Sequence, residues 1–162
     1  MKFPPETETR EKSIVIPLSY ETEDSLFYID KLKFGIGREE ILTRFFPGLT
    51  REKLDKVLDC DLPQPDYPAP PFNFVKKKIV LNNVEFCSTS FTDSSMGGRR
   101  VKHYLYSVKR NNEYLLLEFQ LLYLDHQHGE SKPDSYLHFE ETEESKKIQN
   151  LINQILLTFR VL

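Results

Sequence analysis

Two stretches of alternating side chains, Val101 to Val108 and Tyr114 to Leu124, flank Lys109-Arg-Asn-Asn-Glu113. Asn111-Asn112 suits a two-residue primed turn, because asparagine tolerates the positive φ that such a turn demands at both central positions. A turn of that length leaves one register. Arg110 faces Glu113, Val108 faces Leu115, Tyr106 faces Leu117 and Tyr104 faces Phe119. The last three pairs share one apolar, ring-rich face. Ser107 with Leu116, Leu105 with Glu118, and His103 with Gln120 fall on the other face. A slip of one residue would scramble that separation, so the hairpin constrains the rest of the fold.

A single hairpin cannot stand alone, so its ring face needs a cover. The C-terminal segment supplies one. Thr142 caps a helix with Glu143 and Glu144 in its first turn, where the positive end of the helix dipole favours acids. Ile148, Leu151, Ile152, Ile155 and Phe159 then form an apolar stripe at helical spacing. With 162 residues the chain makes one domain. Twelve Phe and eight Tyr supply the bulk of a core that is otherwise modest in apolar residues.

Further strands are expected over 13–20, 25–34 and 77–91, the last with Asn82-Asn83 as a hairpin turn. Pro17 marks the first of these as an edge strand or a broken one. Residues 1–12 read as a mobile leader, leaving 13–162 as the folded unit. Residues 37–59 read as an inserted pair of short helices. Gly37 to Phe46 has acids early and apolar residues at 41, 42, 45 and 46, Pro47-Gly48 stops it, and Thr50 caps a second helix carrying Leu54, Val57 and Leu58. Five prolines within 61–74 make that segment a stiff connector. Residues 92–100 and 125–136 read as polar loops, and Leu137 to Phe139 as one more short strand. The expected class is therefore α+β: an antiparallel sheet packed by a C-terminal amphipathic helix, with a small helical pair in the N-terminal third.

The run from Ile79 to Phe86, Phe91-Thr-Asp-Ser-Ser-Met-Gly97, His103-Tyr104, the hairpin, and Ile152 to Arg160 together resemble the PsbP-like domains of bacterial envelope proteins. The resemblance covers residues 78–162. It implies an antiparallel sheet flanked by helices and a non-enzymatic binding or accessory role. It also implies a location in the bacterial cell envelope if an export signal has been removed, and a cytoplasmic one otherwise. The motifs that carry it are core positions, a glycine loop and a helix end. The opening MKFPPETETREK has no apolar core of the signal-peptide kind, and no apolar run is long enough to span a bilayer.

Candidate chemistry is sparse, and no cofactor is expected. Asp125-His-Gln-His-Gly-Glu130 is the one metal-like cluster. His126, His128 and Glu130, with His103 or His138 as a further ligand, could hold a divalent ion and support a metal-dependent hydrolase; the plain alternative is a solvated loop tip. Cys87, or a serine of Ser88-Thr-Ser90, would need His103 and Asp93 to act as a nucleophile. Arg99 and Arg100 beside Gly97-Gly98 could bind an anion. Tyr67, Phe72 and Phe74 in the proline-rich connector could dock on a protein partner. Cys60 and Cys87 read as two buried thiols, with a disulfide between them as the alternative. The helical pair over 37–59 is similar to the helical unit of some small bacterial antitoxin domains and suggests a nucleic-acid-linked regulator. The mixed charges of Arg51 to Asp59 and a net charge of −3 speak against a nucleic-acid partner.

Overall fold

The computed structural model describes residues 13–37, 50–58, 60, 72–94, 96–127 and 138–158. Strands β1 (Ile14–Glu21), β2 (Phe27–Ile36), β3 (Phe72–Leu81), β4 (Val84–Ser94), β5 (Arg99–Arg110) and β6 (Glu113–Asp125) form one antiparallel sheet. Their order is β1-β2-β6-β5-β4-β3, so β6 and β5 lie at its centre. Helix α1 (Arg51–Leu58) precedes β3, and helix α2 (Glu143–Thr158) closes the chain. Among the described residues no helix is long and apolar enough to cross a membrane. The α+β class with an antiparallel sheet and a C-terminal helix is therefore observed. The first helix of the expected pair, like the 1–12 leader and most of the proline-rich connector, lies outside the described residues.

The β5–β6 ladder has the register that the turn dictates: Arg110 opposite Glu113, Val108 opposite Leu115, Tyr106 opposite Leu117 and Tyr104 opposite Phe119. Asn111 and Asn112 have φ of 50° and 64°, as a primed turn requires. Asn82 and Asn83, at 51° and 63°, make the same turn between β3 and β4. Pro17 sits on edge strand β1, where the register shifts between Pro17 and Tyr20. A second shift, between Ile29 and Lys31, lets Phe27, Ile29 and Leu32 all bury on one face of β2.

That face holds the rings of Phe27, Phe86, Tyr104, Tyr106, Phe119 and Tyr123 in one cluster with Ile148, Ile152 and Leu156 of α2. The Gln149 side chain donates to the Tyr106 hydroxyl at 2.9 Å. The C-terminal helix thus covers the ring face, through a stripe centred on Ile152 that takes in Leu156; Phe159 lies beyond the described residues. The Thr142 hydroxyl accepts from the Ser145 amide at 3.1 Å and donates to the Phe139 carbonyl at 2.7 Å. Thr142→Ala is expected to cost about 1–2 kcal/mol in urea denaturation, with Thr142→Ser keeping most of it; an unchanged midpoint would remove the cap from the account.

Three expectations are corrected, and one face of the sheet proves covered that no expectation addressed. Residues 92–100 are not an open loop: β4 continues to Ser94, β5 begins at Arg99, and the described residues between them, Met96–Gly98, form a 3-10 turn. Gly97 and Gly98, with φ of 77° and 76°, compress the connection in a way a larger residue would resist. Phe139 belongs to a 3-10 turn, Phe139–Glu141, rather than to a strand. Its ring stacks on Tyr123 at 4.5 Å and meets Phe27 edge-on at 5.4 Å, so burial, not a strand ladder, sets its conformation. The second face of the sheet is covered as well. Leu105, Ser107, Leu116 and Thr89 are all buried there, with Leu54 and Leu58 of α1 buried as well. Finally, Cys60 and Cys87 are joined in a disulfide, their Cα atoms 5.5 Å apart, in place of the two free thiols expected.

Candidate functional site

Alternation along β5 puts His103, Leu105, Ser107 and Lys109 on the second face. The same face takes Cys87 and Phe91 from β4 and Glu118 and Gln120 from β6. At its middle Phe91 stacks on the His103 imidazole, 4.9 Å between centroids and 22° between planes. Glu118 Oε1 lies 3.5 Å from His103 Nδ1 and accepts from Gln120 Nε2 at 2.6 Å. The His103 side chain is 5% exposed and that of Glu118 is 17%. Gly37 passes close over this region. A methyl group there would lie 3.0 Å from Leu116 Cγ and 3.1 Å from Glu118 Cβ.

Towards the β5–β6 turn the face carries α1. The Ser107 hydroxyl donates to the Leu58 carbonyl at 2.6 Å, and the Tyr114 hydroxyl donates to the Asp55 carbonyl at 3.4 Å. The disulfide joins Cys60, just past the helix, to β4. Beside these attachments lies an open cleft of about 470 Å³, lined by Leu58, Lys78, Glu85, Cys87, Ser107 and Lys109 among others. Lys78 reaches Glu85 at 3.7 Å, and the Lys109 ammonium lies 5.6 Å from the centre of the Tyr114 ring. On the ring face the buried Lys102 ammonium meets Glu140 at 2.8 Å and lies 5.5 Å from the centre of the Tyr104 ring. The Tyr104 hydroxyl, also buried, has no hydrogen-bond partner among the described residues.

The residues singled out from the sequence are scattered over this frame. His126 follows β6; its Nε2 lies 3.2 Å from both carboxylate oxygens of Glu21, and its amide donates to the Leu26 carbonyl. Asp125 is buried and caps its own turn, accepting from the Gln127 amide at 2.9 Å. His128 and Glu130 lie outside the described residues, and among the described residues no three His, Cys, Asp or Glu side chains cluster as metal ligands do. His103 is paired with Gln120, which puts it about 20 Å along the strands from His126.

Arg99 and Arg100 are consecutive residues of a strand and leave it on opposite faces. The Arg100 guanidinium donates to the Arg99 carbonyl at 3.2 Å. Ser88 and Ser90 point to the ring face, away from His103, while Cys87 is bonded to Cys60. Phe72 begins β3 opposite Thr92, and Tyr67 lies outside the described residues. The described outer side chains of α1 pair along the helix, Arg51 with Asp55 at 3.2 Å and Lys56 with Glu52 at 3.7 Å.

Sequence reasoning missed the cleft and offered its disulfide only as the alternative to two thiols. The available signal was Leu105 and Leu116 on the face opposite the rings: two leucines there call for a cover.

Comparison of the sequence with models of known protein families finds no match, and no curated protein matches it.

Proposed function

We propose that this chain is a non-enzymatic binding or accessory domain of PsbP-like type that engages a protein partner at the cleft between α1 and the sheet. The observation that carries the reading is the cleft itself. It is open, about 470 Å³ in volume, and lined by aliphatic, hydroxyl and charged side chains together, the mixture that binding sites use to gain affinity and orientation. The disposition of the buried ionisable groups supports the same reading. Glu118 takes up His103, Glu140 takes up Lys102, and Asp125 closes its own turn. Such groups fix a scaffold. The kinship to PsbP-like domains rests on the sequence motifs within 78–162, and the antiparallel sheet with its closing helix is compatible with it.

One contact favours a second reading, a metal-dependent hydrolase at the end of β6. His126 beside the Glu21 carboxylate is part of a possible ligand set. Two measurements on the purified protein decide between them. Amide shifts in a fragment screen are expected to gather at Asn83, Ser107 and Lys109, and metal analysis is expected to find no stoichiometric zinc or manganese. Near-stoichiometric metal that is lost on His126→Ala would replace the binding reading with the hydrolase. Shifts gathered away from the cleft would move the recognition surface elsewhere.

A further inference from the structure

The cleft does more than offer a surface: it leads to the disulfide. Cys87 lines it, with Lys78 directly opposite across the β3–β4 ladder and Lys109 on the other side. Cys60, at the outer end of the bond, is half-buried rather than enclosed. We infer that Cys60–Cys87 is an exchangeable disulfide, opened by a dithiol reductant, and that its opening releases α1 from the second face of the sheet. The inference stands whatever the cleft binds.

The chemistry is ordinary exchange. A thiolate of the dithiol attacks Sγ of Cys60, a bond forms between them, and the Cys60–Cys87 bond breaks. The electron pair leaves on Sγ of Cys87. That thiolate forms in the cleft that Lys78 and Lys109 also line, with the Lys78 ammonium shared with Glu85 at 3.7 Å; positive charge near a cysteine makes it a better leaving group. The second thiol of the reagent then attacks the mixed disulfide and frees Cys60. The reagent departs as its own disulfide, oxidised by two electrons, and its two protons end on the cysteines.

The helix depends on that bond. α1 has 8 residues, too few to persist alone. Its attachments to the sheet include the burial of Leu54 and Leu58 and the two hydrogen bonds from Ser107 and Tyr114. The bridge spans 27 residues of sequence. Opening a loop of that size lowers the effective concentration of the tethered helix at its site by roughly 100-fold or more. The sheet keeps its own support, since α2 and the ring cluster lie on the opposite face.

Hydrogen exchange of the full chain, before and after millimolar dithiothreitol without denaturant, tests this. Exchange over 51–58 is expected to accelerate on the order of 100-fold, while β2, β5 and β6 keep their protection. Cys60→Ser with Cys87→Ser should reproduce the reduced pattern. Lys78→Ala with Lys109→Ala, two exposed side chains outside the core, should slow the reduction several-fold. A disulfide that opens only once the protein is unfolded would overturn the inference. So would loss of protection in β5 and β6 together with α1, or reduction of the lysine variant at the parent rate.

Discussion

Above pH 10 the protein is expected to lose stability steeply, by up to about 4 kcal/mol per pH unit, and to unfold before its core tyrosines ionise. Tyr104, Tyr106 and Tyr123 are 3%, 1% and 6% exposed. Burial raises the pKa of each above the ordinary phenol value. For Tyr104 the neighbouring Tyr106, Glu140 and Tyr123 raise it further. For Tyr106 the hydrogen bonds with Gln149 and Ser88 work against burial. For Tyr123 the Glu140 carboxylate adds to burial while Arg100 opposes it. In the unfolded chain the same groups titrate near 10. The folded state therefore holds protons that the unfolded state gives up. This contribution is complete below pH 10 and is lost as the pH climbs from there towards the raised folded values. Three such groups, each worth about 1.4 kcal/mol per unit, give the slope. Absorbance at 295 nm, followed with far-ultraviolet circular dichroism, should show the tyrosinate of these three core residues, out of eight tyrosines in the chain, appearing together with loss of the sheet signal. Three core tyrosines titrating near pH 10 in an intact sheet would contradict the packing.

Phe119→Ala should cost about 3–5 kcal/mol and lower the midpoint of thermal unfolding by roughly 10 °C. Phe119 is fully buried in β6, at the centre of the sheet. It stacks on Phe34 at 5.4 Å and meets Tyr106 edge-on at 5.8 Å. Its removal loses the transfer energy of a whole ring, two aromatic contacts, and the support under α2. The half-buried Phe34, at the margin of the same cluster, should cost less when changed to Ala. Urea denaturation of both variants measures the difference. A loss below about 1 kcal/mol at Phe119 would mean that its ring is not where the helix closes the core.

What was legible in the sequence is what local chemistry enforces. Two asparagine pairs fix two primed turns, and the rings on alternate residues then fix which side of β5 and β6 faces inward. Thr142 with two glutamates fixes where α2 begins. What was illegible depends on groups distant in sequence. Ser107 meets Leu58 across 49 positions, and nothing near Ser107 announces a helix above it. Without that helix Leu105 and Leu116 read as tolerated surface leucines. The disulfide stood only as an alternative for the same reason, since two cysteines without a motif do not declare a partner. The polar run Thr92-Asp-Ser-Ser95 looks like loop, but its backbone pairs with β5 as far as Ser94. Polar composition concealed a strand whose inward residues, Phe91 and Thr92, bury one on each face. The cleft was the least legible, because a cleft made by α1, β3, β4 and β5 exists only once those four elements are placed.

Nuclear Overhauser contacts from the helix methyl groups test the two-sided sheet most directly. The methyls of Ile148 and Ile152 should reach the ring protons of Tyr106 and its neighbours in the cluster, and those of Leu58 should reach Ser107. Contacts from Ile152 to Leu105 or Ser107 would put the last helix on the wrong side and take the roofed cleft with it.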